Sequence, residues 1–129
     1  ASFLVKHLRI HWMEGEKHFK NCLVDYNEAS NIAQWQWVAG CGADAAPYFR
    51  IFNPILQGEK FDKDGIYTKK WVPELLNMPN KFLYKPWELE KKYQKQIKIV
   101  IGEDYPEPMV DHVKARKAAL EAFQQIKRN

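Results

Sequence analysis

Apolar residues recur at Leu4, Leu8 and Trp12 and again at Phe19 and Leu23, the four-residue step that lays a stripe along one side of a helix. The spacing predicts two helical pieces across Phe3 to Leu23, broken near Trp12 to Gly15. Asn27 to Val38 reads as the next helix, with Asn27 as its N-cap and Glu28, Ala29 and Ala33 as acceptable formers. Gly40-Cys41-Gly42 punctuates its end, and Ala43 to Phe52 reads as a loop. Asn53-Pro54 joins a capping side chain to a proline suited to the first turn, which predicts a short helix running toward Phe61. Asp62 to Gly65 reads as a turn, and helix resumes from Ile66 to Val72, with Tyr67 and Trp71 one turn apart, until Pro73 interferes.

Residues 77–108, with Pro79, Pro86, Pro106 and Pro108, read as a long connector. Within it Ile97-Lys-Ile-Val-Ile101 alternates like a strand, though the chain offers it no obvious pairing partner. A final helix places Met109, Val113, Arg116, Leu120 and Phe123 on one face, with Asp111 at an acidic start and Lys127-Arg128 at a basic end. The expected class is all-α with long irregular loops, in one unit over residues 1–129.

Composition narrows the class of protein. A chain of 129 residues with 46% hydrophobic side chains suits one domain with a real core. Its apolar runs fall far short of the roughly 20 residues that cross a bilayer, so a soluble chain without a membrane partner is expected. The net charge of +4 suits a polyanionic partner without requiring one. Lys114, Arg116, Lys117, Lys127 and Arg128 outnumber Asp111 and Glu121 in the last helix, a pattern that a solvated helix face also explains. Cys22 and Cys41 lack the spacing of a zinc, redox or disulfide motif, which points to a reduced, intracellular protein. Ala1-Ser-Phe-Leu-Val opens directly on an apolar pattern without an initiator Met, and the expectation is a boundary inside a larger fold.

Three motif fragments carry little chemistry. His7, His11 and His18 lack the Glu and third ligand of a zinc protease and read as surface histidines, so no metal is expected. Asp62-Lys-Asp-Gly65 lacks the further acidic ligands of a calcium loop and reads as a turn. Gly40-Cys-Gly42 lacks the third glycine and the preceding strand of a dinucleotide fingerprint. The tryptophans differ: Trp35 and Trp37, two residues apart on a helix, point about 200° from each other and serve two surfaces. Either the helix is buried all round, or one indole lines a cavity.

The run from Asn31-Ile-Ala-Gln-Trp35-Gln-Trp37 through Gly40-Cys-Gly-Ala-Asp-Ala-Ala-Pro47-Tyr-Phe-Arg50 to Asn53-Pro54-Ile-Leu-Gln57-Gly-Glu-Lys-Phe-Asp resembles the signature block of the photolyase and cryptochrome family. Within that family it is most similar to the class I branch that repairs cyclobutane pyrimidine dimers. Ala1-Ser-Phe-Leu-Val-Lys, Trp12-Met-Glu-Gly-Glu, Leu23-Val-Asp25, Trp71-Val-Pro-Glu-Leu75, Tyr105-Pro-Glu-Pro and Asp111-His-Val-Lys-Ala-Arg116 extend the resemblance over nearly the whole chain, most weakly from Leu89 to Gly102.

The resemblance implies the C-terminal half of a helical FAD-binding domain in a light-driven DNA lyase, with the antenna domain and the first half of the flavin domain lying upstream. It implies FAD as cofactor, and it leaves the antenna chromophore unidentified because the domain holding it is elsewhere. Asp25 corresponds to the acid that meets the polar edge of the flavin, within a contacting turn Asp25-Tyr26-Asn27. Asn27 departs from the family's usual Asp. Asn31 corresponds to the residue facing the reactive flavin nitrogen, where an amide favours repair over plant-type photosensing. Trp35 and Trp12 correspond to the inner and middle members of an electron-carrying tryptophan chain. Trp37 corresponds to the wall on which a flipped dimer stacks.

Pro47 and Tyr48 correspond to the tip of a loop that fills the gap left by the extruded dimer, Arg50 to a support of that loop within the same substrate- and DNA-facing set, and Gln57 to a DNA contact. The implied partner is DNA containing pyrimidine dimers, together with the missing N-terminal half. The implied whole is a monomeric, cytoplasmic, DNA-associated enzyme, and the 129 residues alone are expected to bind flavin weakly or not at all and to repair nothing. The alternatives are a cryptochrome-like photosensor fragment and a non-catalytic remnant that binds DNA or a partner.

Overall fold

Asn27 accepts a hydrogen bond from the Ser30 backbone N–H at 3.0 Å and so starts a helix, α2, over Glu28–Ala39. Gly40 ends it in the left-handed conformation, φ 74°, with Cys41 N–H bonded to Gln36 O at 3.0 Å and Gly40 N–H to Trp37 O at 3.1 Å. The preceding helix, α1, covers Trp12–Cys22 and starts where His11 Nδ1 accepts from Met13 N–H at 3.3 Å. Before it lies a π-helical turn, Phe3–His7. The break in the apolar stripe therefore falls ahead of Trp12, at a backbone reversal where Arg9 takes φ 53°. Gly15, expected at the break, sits inside α1.

The structure, a computed structural model, describes residues 1–44 and 49–128 and divides into two units. The first joins Ala1–Phe52 to the segment from Val110 onward. In it α1 packs on α2, and a last helix, α6, His112–Arg128, packs on the π-helical turn. Asp111 Oδ1 caps α6 by accepting from Lys114 N–H at 2.9 Å. His7, expected at the surface, is buried at 5% exposure, its Nε2 lying 2.9 Å from His112 Nδ1. Its partner is 105 residues away in sequence, so no local pattern announces it.

The second unit, Asn53–Met109, begins with α3, Pro54–Phe61, capped by Asn53 Oδ1 on the N–H groups of Ile55 and Leu56. Asp62 then accepts from Tyr67 N–H at 3.1 Å and Thr68 N–H at 2.8 Å, which starts α4, Ile66–Trp71. Tyr84 adds a hydroxyl bond to the same carboxylate at 2.7 Å. Burial raises the Asp62 pKa, but the bonds from Thr68, Tyr84 and Tyr67 outweigh it and hold the carboxyl well below the usual carboxylate range. The residue read as part of a turn is therefore the anchor of α4.

Residues 77–108 are not a connector. Leu75, Met78, Leu83, Leu89 and Ile99 form the core of this unit, with Val72, Phe82, Tyr84, Ile97, Ile101 and Tyr105 packed against it. Three single 3₁₀ turns and a short helix, α5, Lys91–Gln96, carry the chain around that core. The Ile97–Ile101 alternation is not a strand: Lys98 takes φ 59°, and the one pairing is an isolated bridge from Ile101 to Tyr105. Buried Gln94 holds the segment instead, donating to Leu89 O at 2.5 Å and accepting from Ile101 N–H at 3.0 Å. The all-α expectation holds, with no strand among the described residues.

Candidate functional site

Helices α1 and α2 meet where α1 has no side chain. A Cβ on Gly15 would stand 2.2 Å from Trp35 Cη2, so the glycine is the seat of the indole. Phe19, one turn on, meets Trp35 edge to face with centroids 5.1 Å apart and an interplanar angle of 78°. Trp35 is 4% exposed in consequence. Trp12, half-buried at the start of α1, lies three residues before Gly15 and seven before Phe19, on the same helical stripe.

Trp35 Nε1–H donates to Asn31 Oδ1 at 3.1 Å. The Asn31 amide nitrogen donates to Glu16 O at 3.1 Å and to Glu16 Oε1 at 3.3 Å. Tyr26 O–H donates to the same Glu16 oxygen at 3.1 Å. Burial raises the Tyr26 pKa, and its bond to Glu16 adds to the effect, so the phenol stays a donor. Trp35, Asn31, Glu16 and Tyr26 thus form one hydrogen-bonded chain across the α1–α2 contact. Both amide hydrogens of Asn31 are committed, which leaves an Oδ1 lone pair, an acceptor, as its spare capacity. Glu16 is the member that the sequence reading missed. Trp12-Met-Glu-Gly-Glu was legible as a segment, but its second Glu acquires a role only through a partner on another helix.

Trp37 points away from this network and is 45% exposed. The two indoles therefore occupy the two sides of α2 that their spacing predicts. Asp25 is exposed and makes no hydrogen bond or ion pair among the described residues, and Val24 beside it is fully exposed. Asn27 spends its side-chain oxygen on the α2 cap, a task that Asn and Asp perform about equally. Asp25 and Val24 are thus open to a ligand, whereas Asn31 is buried at 8% exposure with Oδ1 already accepting from Trp35. No group of three metal-ligating side chains occurs among the described residues.

Arg50 is exposed, its guanidinium 4.8 Å from the Phe52 ring centroid, and its carbonyl oxygen accepts from Lys6 Nζ. Gln57 lies half-buried in α3 of the second unit. Pro47 and Tyr48 lie outside the described residues.

The family described as the FAD binding domain of DNA photolyase matches residues 1–125. A deoxyribodipyrimidine photo-lyase of Agrobacterium fabrum is 56% identical over 128 residues, covering 99% of this chain and 27% of the relative. A bacterial class III photolyase from Agrobacterium tumefaciens is similar in structure, with a TM-score of 0.91 at 55% identity over 99% of this chain and 27% of that one. A cryptochrome from Synechocystis gives a TM-score of 0.86 at 40% identity over 93% of this chain and 25% of that one. The chain thus spans about a quarter of the length of the proteins it matches.

Proposed function

We propose, from the premise that this chain belongs to the FAD-binding domain family of DNA photolyases, that it supplies the flavin-facing and DNA-facing helices of a deoxyribodipyrimidine photo-lyase. The observation that carries this reading is the division of α2 between a buried Trp35, bonded to the Asn31 amide, and an exposed Trp37.

FAD, when bound, supplies light-driven transfer of one electron to the dimer and its recovery after the ring bonds part. The residues of this chain bind, orient and insulate. Asp25, with Tyr26 and Asn27 in the same turn, offers the carboxylate that meets the polar edge of the cofactor. Glu16 holds both N–H groups of the Asn31 amide, so that the free lone pair of Oδ1 is what Asn31 has left for the cofactor. Trp35 and Trp12 form the inner part of an electron path, with Gly15 and Phe19 holding Trp35 out of water. Trp37 provides the surface on which an extruded pyrimidine pair stacks. Arg50 and Gln57 contact DNA, and Pro47 and Tyr48 occupy the opening in the duplex.

The activity belongs in this proposal to a monomeric, cytoplasmic protein of the length its relatives have, acting on DNA with pyrimidine dimers. No helix among the described residues is long and apolar enough to cross a membrane, and both cysteines are free and exposed, in keeping with a reducing compartment. Dimer repair of the class I type is the branch the sequence favours. The 55% identity to a class III photolyase supports class III as the second reading of the branch. The 40% identity to a cryptochrome supports a photosensor as the second reading of the function.

Blue-light repair of an oligonucleotide carrying one thymine dimer, by the flavin-loaded full-length protein, tests the proposal. Conversion to intact thymines with turnover supports it. Flavin photochemistry without conversion favours the photosensor.

A further inference from the structure

Lys6 is a buried ammonium without an acidic partner among the described residues. It is 6% exposed, and its contacts are the Arg50 carbonyl oxygen, to which Nζ donates, and the Phe49 ring, whose centroid lies 4.8 Å from Nζ. Taking a lysine out of water without a carboxylate is costly, and burial lowers its pKa accordingly. A Met would fill the same space without that cost. The charge therefore calls for a purpose beyond filling space.

Its two contacts fall on consecutive residues. Phe49 also stacks on Phe123 of α6, with centroids 4.3 Å apart and an interplanar angle of 12°. The backbone at Phe49–Arg50 is thereby gripped from the π-helical turn and from α6. The Arg50 carbonyl is drawn to the buried ammonium while its guanidinium stays exposed over the Phe52 ring. With its backbone held and its guanidinium exposed over an aromatic ring, Arg50 is available to donate to an anion.

We propose that Lys6 is a positioning residue for DNA binding: with Phe123 it locks the Phe49–Arg50 backbone so that Arg50 meets a phosphate of the dimer-containing strand. The inference deepens the reading of Arg50 as a DNA contact and rests on it.

Lys6→Met keeps the apolar stem and removes the charge and the donor, and it is tested in the flavin-loaded full-length protein. Fluorescence anisotropy gives the affinity for dimer-containing and undamaged oligonucleotides, and repair yield is read on the saturated complex. The expected result is a roughly ten-fold loss of affinity for the dimer oligonucleotide, the scale of one charge-assisted contact. The repair yield once bound and the urea midpoint should not fall. Arg50→Ala should weaken binding to a similar degree, and the double variant K6M/R50A should be no weaker than R50A alone.

Wild-type affinity in K6M beside a weakened R50A overturns the positioning role and leaves Arg50 as a DNA contact. Losses that multiply in the double variant overturn it as well, because Lys6 would then act independently of Arg50. Wild-type affinity in R50A removes the DNA reading of Arg50 itself and the inference with it.

Discussion

Gly15 and Trp35 are complementary in shape: the six-membered part of the indole lies where a side chain at position 15 would begin, with Cη2 2.2 Å from an ideal Cβ. The close approach of α1 and α2 depends on that missing atom. Gly15→Ala should destabilise the protein by about 1–3 kcal/mol, since overpacking against a rigid ring outweighs the roughly 1 kcal/mol of helix propensity that Ala gains. Urea denaturation checks this, and an Ala variant as stable as wild type would contradict the packing described.

Asn27 acts through its cap. Asn27→Asp should leave stability within a few tenths of a kcal/mol, whereas Asn27→Ala should cost about 1 kcal/mol. Thermal unfolding of both variants decides it. A large gain or loss with Asp would mean that the charge at this position matters.

Asp62 should make stability fall in acid. Its folded pKa lies below the ordinary 3.8, so the unfolded chain takes up the proton first as pH drops. The stabilisation is fully present above about pH 4 and is lost as pH falls through the folded pKa. Melting curves from pH 6 to pH 2.5 should show a steeper decline for wild type than for Asp62→Asn. Parallel curves would remove Asp62 from the account.

His7 should give a second acid sensitivity at higher pH. Burial, and then the neighbouring His112, lowers its pKa from the ordinary 6.5, so protonation favours the unfolded chain. Stability should be full above pH 6.5 and should decline as pH falls below it. His7→Phe, which removes the titrating ring, should flatten the urea midpoint between pH 7.5 and pH 5. An unchanged slope would contradict the burial of His7 against His112.

The caps were legible in the sequence because they act over three or four residues: Asn27, Asn53-Pro54 and Asp111 start the helices they were expected to start. The opposed indoles were legible for the same reason, since two residues along a helix fix the angle between them. Features set by distant partners were not. Gly15 reads as a breaker until Trp35 fills its space, and His7 reads as a surface residue until α6 arrives. Glu16 is one of many acids until Asn31 and Tyr26 converge on it. The core at residues 75–99 was hidden because its apolar residues follow single turns, which have no period to detect. Helix α5, polar in most of its six residues, offered no stripe.

The central claim is that α2 keeps two tryptophans for two tasks, and affinity for dimer-containing DNA separates them most directly. Trp37→Ala should weaken binding by about 1–3 kcal/mol, the worth of a base stacked on an aromatic ring, while Trp35→Phe should stay within about two-fold of wild type. Equal losses from both substitutions, or none from Trp37→Ala, would contradict the account.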